Sequence, residues 1–365
     1  MKFFEMIQRA AMEKTHSSAI AWLFSDSNSS FNDNEKKQLI SALTRIQIDG
    51  EFINVFTEYK NIDVLLVYKD HVVAIENKIK ISEHDQQIEK YDGILLKDFP
   101  TKLIVKVFLT LIGENASNSE WLTLSYDQLL AELKSLRPSS EIICDYVENL
   151  DLLVKCKQQF LIDHTSFPNV FRDGSKRKYE KTHQSDKCAL AKYISDNGLE
   201  TIFQRAFLFK LKKEITTISS RHVFINETRG NALLDYKNPS ELPELTLDGK
   251  IVDIGIQFQG KTLKIQFENG FDRYGKRKER NLSIRVVLDN YIKDIFVQLD
   301  LKSYGWRINF PRSKDSEYYS FSKNIPFNDE KIGFAENSFD DCVKAIQCGY
   351  IECKEVLEKL RFQFR

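Results

Sequence analysis

The chain has 365 residues, room for two or three domains at roughly 100–200 residues each. Its 42% hydrophobic and 12% aromatic content excludes a disordered protein, because that much apolar surface can fill real cores. With 53 Lys and Arg against 53 Asp and Glu, the formal net charge is zero, which argues against indiscriminate polyanion binding but leaves room for a local basic groove. Six cysteines, at 144, 156, 188, 342, 348 and 353, form no Cys-x-x-Cys pair, and none has zinc spacing, so reduced thiols are expected. No stretch approaches the ~20 apolar residues of a membrane span. Met1-Lys2-Phe3-Phe4-Glu5 is too soon charged for a signal peptide, so a cytoplasmic protein is expected.

Apolar residues at helical spacing over 3–24, from Phe3 and Phe4 to Leu23 and Phe24, predict a first helix. A polar loop from Ser25 to Asn34 and a helix from Glu35 to Gln47 follow. Strands are predicted over Phe52–Glu58, Ile62–Tyr68 and Val72–Lys78, then a helix over Glu83–Leu96. The apolar run Leu103–Ile112 predicts a strand buried on both faces. Trp121–Leu124 reads as a strand, Ser125 caps a helix to Leu136, and Pro138-Ser139-Ser140 starts a long helix to about His164. This order predicts an α/β fold: a three-layer α/β/α core with a mixed sheet over residues 1–165.

Residues 166–365 are expected to form an α+β C-terminal domain. Helices at 183–196 and 199–219 precede β-runs at Arg221–Asn226, Ala232–Tyr236, Ile251–Gln259, Lys261–Glu268 and Leu282–Leu288, and a last helix spans Phe339–Phe362. Gly260-Lys261 joins two of these runs as a hairpin. Asp253 and Phe267-Glu268-Asn269 within it echo Asp63 and Ile75-Glu76-Asn77, but Gly270 stands where a lysine would be needed, so no chemistry is assigned to it.

The candidate chemistry lies in the first quarter of the chain. Asp63 begins one apolar run and Glu76-Asn77-Lys78 ends the next. Alternation along a strand puts Glu76 and Lys78 on one face. If Lys69 and Asp70 form a two-residue loop, Asp63 falls opposite Glu76, with Cβ atoms roughly 4.5–5.5 Å apart, where like charges repel. A divalent cation would relieve that repulsion. Mg²⁺ typically takes one or two carboxylates, lowers the pKa of water and withdraws charge from a phosphoryl oxygen, while a lysine beside it can orient the attacking water.

This pattern resembles the PD-(D/E)XK nuclease superfamily, in particular a bacterial branch whose core carries Ile75-Glu76-Asn77-Lys78 after an acid such as Asp63. Gln87 and Tyr91 match the Gln-x-x-x-Tyr element of that branch, and at i and i+4 they share a helix face. Ile62 stands where the superfamily's name motif has proline. The resemblance implies a restriction-endonuclease-like core and a nuclease using Mg²⁺ or Mn²⁺. It implies that Asp63, Glu76 and the Asn77 carbonyl bind the metal, with Glu13 on the first helix the expected extra ligand and Glu58 the alternative. It further implies that Lys78 steers the water and that Gln87 and Tyr91 support the lysine and phosphate. His16 is expected to pack or cap locally, and neither His71 nor His84 makes a zinc spacing.

Two basic stretches are candidates for nucleic-acid binding: Arg172, Lys176, Arg177 and Lys178 in one, Lys276, Arg277 and Lys278 in the other. Phosphate contacts give affinity without sequence preference, and the interleaved Tyr179 and Tyr274 could stack on unpaired bases. The expected function is hydrolysis of DNA in defence or repair. RNA is not separated from DNA by these residues, and a silent binding scaffold of the same fold is the alternative. The C-terminal domain is expected to contribute nucleic-acid, partner or self-association contacts.

Overall fold

Two apolar runs separated by Lys69 and Asp70 fold back on each other in the computed structural model as β2 (Ile62–Tyr68) and β3 (His71–Lys78). The ladder pairs Val67 with Val72, Leu66 with Val73, Leu65 with Ala74 and Val64 with Ile75, the register predicted from the sequence. The structure describes residues 13–28, 30–79, 87–167, 169–171, 189–215, 223–228, 231–236, 245–247, 250–269, 293–294, 296–309, 318–327 and 333–363.

β1 (Phe52–Tyr59) lies antiparallel to β2. The turn between them is Lys60-Asn61, with φ of 50° and 74°. Two successive left-handed residues match the twist of a tight hairpin, and asparagine tolerates that conformation. Helix α1 (Glu13–Phe24) packs on β1, β2 and β3. Helix α2 (Asp33–Thr44) contacts β4 (Leu103–Thr110) and α4 (Tyr126–Ser135). Helix α3 (Gln87–Asp98) is the crossover that lays β4 parallel to β3, and β5 (Leu122–Ser125) runs parallel to β4. The result is a mixed sheet in the order β1-β2-β3-β4-β5. Ile88, Tyr91 and Leu95 of α3 share a buried cluster with Leu65, Val67, Val72, Ala74 and Phe108. Val64, Leu66, Val73 and Ile75 alternate to the other face. Helices therefore cover both faces, as an α/β/α core requires.

Several local readings are corrected. β4 is buried only in its second half, and Leu103 is 65% exposed. β3 flanks the whole of β4, whereas β5 pairs only with Val107–Thr110, so residues 103–106 form an edge. Helix α2 starts inside the expected polar loop because Asn32 caps it: its side chain accepts the Asn34 and Glu35 N–H groups, and Glu35 returns a bond to the Asn32 N–H. It ends before Gln47, where Arg45 turns left-handed at φ 58°. Ser125 caps α4 as predicted, in a reciprocal box with Gln128. Helix α5 (Glu141–Ile162) follows and packs on α4.

The chain divides into two compact units, Met1–Ile162 with Gln184–Ala206, and Asp163–His183 with Phe207–Arg365. Helix α6 (Ala189–Asp196) belongs to the first, and α7 (Glu200–Glu214) follows it. The second unit holds a further sheet of β6 (Val223–Thr228), β7 (Asn231–Tyr236), β8 (Leu245–Leu247), β9 (Lys250–Gln259), β10 (Thr262–Asn269), β11 (Arg307–Asn309) and β12 (Tyr318–Asn324). Its order is β11-β12-β10-β9-β7-β6, with β8 on β9, and α8 (Phe339–Gln363) packs against β9. Gly260-Lys261 is a two-residue turn pairing Gln259 with Thr262, and Gly260 takes φ 55° there. The same register sets Asp253 against Glu268, while Gly270 lies outside the described residues. The predicted strand at Leu282–Leu288 also lies outside them. Among the described residues no helix is long and apolar enough to cross a membrane.

Candidate active site

β2 is buried at every position but one, and that one is Asp63. The ladder with β3 ends at Val64–Ile75, so the next pair in register is Asp63 with Glu76. Asp63 Oδ2 accepts the Asn77 N–H at 2.8 Å, which ties the carboxylate across the gap between the strands.

Glu76 is 1% exposed. Its Oε1 accepts from Lys78 Nζ at 2.6 Å and from Gln87 Nε2 at 2.8 Å. Its Oε2 is buried and has no hydrogen-bond partner among the described residues. Lys78 Nζ also donates to Gln87 Oε1 at 3.0 Å, so one amide braces both members of the ion pair. Gln87 Nε2 donates to the Tyr91 hydroxyl, and that hydroxyl donates to the Asn61 carbonyl, each at 2.5 Å. The i, i+4 spacing on α3 thus places both side chains over the Glu76–Lys78 face, and Tyr91 anchors the group to the β1–β2 turn.

Glu13, in the first turn of α1, reaches the same strand end from the other side: its Oε1 accepts the Ile79 N–H at 2.9 Å. Glu58 sits on β1 beside Asp63, between the pairs Thr57–Val64 and Tyr59–Ile62, with a left-handed φ of 56°. It is exposed, and Lys14 Nζ lies 3.5 Å from its Oε2.

These groups perturb one another. Burial raises the Glu76 carboxyl to about 8, and the Asp63 and Glu13 charges add to that, against the pull of Lys78. Burial raises Asp63 to about 6, with Glu13 and Glu58 adding and the Asn77 N–H and Lys78 opposing. Near neutral pH the metal-free site therefore resists carrying two full negative charges. Among the described residues no three side chains of acid, histidine or cysteine type cage a metal by themselves. A site with two close carboxylates, a backbone carbonyl and an orphaned buried oxygen fits Mg²⁺ or Mn²⁺ instead, because Mg²⁺ keeps several waters.

His16 is buried, with Nδ1 3.3 Å from the Tyr146 hydroxyl and its ring edge-on to Tyr126, a packing role. His71 pairs with Asp70 at 2.9 Å in the β2–β3 turn. His84, Arg172, Lys176, Arg177, Lys178, Tyr179, Tyr274, Lys276, Arg277 and Lys278 lie outside the described residues. Tyr126 and Ser17, which bond the Asn77 side chain, carry no motif in the sequence that marks them. Strand alternation turns Asn77 away from Glu76 and Lys78, which is the one signal that could have directed attention to that face.

A mixed five-stranded sheet with helices on both faces is the arrangement of a restriction-endonuclease-like α/β fold. The family model for the PD-(D/E)XK nuclease superfamily matches residues 1–161. Its nucleases generally use divalent metals. No curated protein and no solved structure matches the chain.

Proposed function

We propose that the protein is a metal-dependent deoxyribonuclease in which Asp63, Glu76 and the Asn77 carbonyl hold Mg²⁺ or Mn²⁺, with Glu13 acting on the ion through its retained water. The observation that carries this reading is the Glu76 Oε2 atom, buried without a hydrogen-bond partner among the described residues, next to a second acid whose own carboxyl is raised by burial. Burying an unsatisfied carboxylate oxygen costs on the order of several kcal/mol, and a ligand for it removes that cost. When bound, a divalent cation supplies activation of water and neutralisation of charge on the phosphoryl oxygens.

The chain's own groups do the rest. Asp63 and Glu76 set the cation's place on the hairpin. Lys78, held on Glu76 and Gln87, presents an ammonium that orients the attacking water and stabilises charge building on phosphorus. Gln87 keeps that ammonium in place, and Tyr91 keeps Gln87 in place. Glu13 supports this reading better than Glu58, because it is drawn onto the strand end by the Ile79 N–H while Glu58 is exposed and faces Lys14. The biological setting assigned is defence against foreign DNA or repair, in the cytoplasm, with residues 166–365 setting substrate or partner choice.

The test is incubation of the full-length protein with linear, circular and single-stranded DNA and with RNA, in Mg²⁺ or Mn²⁺, with EDTA as control. Cutting of DNA that EDTA abolishes is expected. Cutting of RNA alone would move the substrate, and metal-independent cutting would end the reading. Gln87→Ala is expected to lower the cleavage rate about 10–100-fold in a folded protein, the usual cost of losing a partner that orients a site residue. An unchanged rate would remove Gln87 from the site.

A further inference from the structure

Asn77 lies between Glu76 and Lys78 in sequence, yet its side chain works on the other face of β3. It is fully buried. Its Nδ2 donates to the Glu13 carbonyl at 3.0 Å and to Ser17 Oγ at 3.1 Å, both on α1. Its Oδ1 accepts the Tyr126 hydroxyl of α4 at 2.5 Å. A carbonyl can only accept, so the amide nitrogen must face Glu13, which leaves the amide oxygen for Tyr126. Ser17 Oγ itself donates to the Glu13 carbonyl at 2.9 Å, so serine and amide converge on the same atom.

Packing alone does not call for an amide here. The neighbours Ile75 and Ile79 are buried and aliphatic, and a buried amide is costly unless its groups are paired. What the amide adds is direction. Glu13 is tied to the end of β3 twice, by its carboxylate to the Ile79 N–H and by its carbonyl to the Asn77 side chain. The same residue's N–H holds Asp63. One residue therefore spans both sides of the sheet: the hairpin acid through its backbone, the helix acid through its side chain.

We propose that the Asn77 side chain is a positioning residue for Glu13. It fixes the first turn of α1 against β3 so that the Glu13 carboxylate serves the cation, and the Tyr126 hydroxyl locks the amide in the donating orientation. This rests on the reading that Asp63 and Glu76 hold a divalent cation whose retained water Glu13 contacts. A merely structural Asn77 would lower stability on removal and leave the cation affinity of the folded protein unchanged. A positioning Asn77 acts on affinity, and only through Glu13.

The experiment is calorimetric titration of Mn²⁺ alone into the full-length protein, comparing wild type with Asn77→Ala, Glu13→Gln and the double variant. Asn77→Ala is expected to weaken Mn²⁺ binding about 10–100-fold, and to have no further effect once Glu13→Gln is present. Unchanged affinity in Asn77→Ala, or a full additional loss in the Glu13→Gln background, overturns the positioning role while wild-type binding leaves the metal reading standing. A wild-type protein that binds no Mn²⁺ overturns the metal reading itself. If Asn77→Ala does not fold, Tyr126→Phe takes its place in the cycle, removing one hydroxyl and judged by the same outcomes.

Discussion

Replacing Lys78 by alanine is expected to lower DNA cleavage by about 10²–10³-fold, the scale seen when one preorganised donor is taken from developing charge. The geometry makes Lys78 more than a donor to substrate. Its ammonium is 2.6 Å from Glu76 Oε1, and its charge opposes the burial that raises the Glu76 carboxyl. Without it, Glu76 keeps its proton to higher pH, and a cation must displace that proton to bind. Two separable effects follow. Mn²⁺ affinity at pH 7 falls and recovers as the pH is raised toward ~9, whereas the cleavage defect persists at saturating metal. Measuring both across pH distinguishes them. Cleavage at the wild-type rate in Lys78→Ala would remove the lysine from the chemistry.

The hairpin's register was legible because little else could happen there. Two apolar runs with only Lys69 and Asp70 between them can close in one way that keeps alternate residues together, and the observed pairs follow it. The i, i+4 pair Gln87 and Tyr91 was legible for the same reason, since both faces involved are set by local periodicity. Where a feature depends on what lies across from a residue, the sequence falls silent. The apolar run of β4 gives no sign that its first half has a neighbour on one side only. β12, with Tyr318-Tyr319-Ser320-Phe321-Ser322-Lys323-Asn324, carries too few aliphatics to register as a strand, yet it pairs with β10 along its length. Asn77 is the sharpest case. Alternation places its side chain opposite Glu76, but Ser17 is 60 residues earlier and Tyr126 is 49 residues later, and no spacing rule brings them together. The cap on α2 is different, because Asn32 followed three residues later by Glu35 is a readable signature, hidden here inside a run of serines and asparagines.

Asp63→Asn is expected to stabilise the metal-free protein while abolishing Mn²⁺ binding and cleavage. Burial raises Asp63 to about 6 and Glu76 to about 8, so the folded protein holds protons that the unfolded chain has already released. Stability linked to these groups is present at low pH. It is lost as the pH rises from the unfolded values near 4 through the folded ones, because over that window the unfolded state binds fewer protons. Asparagine cannot ionise, retains an oxygen to accept the Asn77 N–H, and removes one charge that adds to the burial holding Glu76 up. At pH 8 the gain should be about 1–3 kcal/mol, with a shallower fall in stability between pH 4 and 8, both measured by denaturant titration in EDTA. Saturating Mn²⁺ should give the wild type about 2.7 kcal/mol at a hundred times its Kd and give the variant nothing. A variant less stable than wild type in EDTA would mean that burying the Asp63 carboxyl does not cost the fold stability. A gain in stability coupled to loss of metal would mean that the hairpin keeps two buried acids at a cost to stability because the cation, and not the fold, requires them.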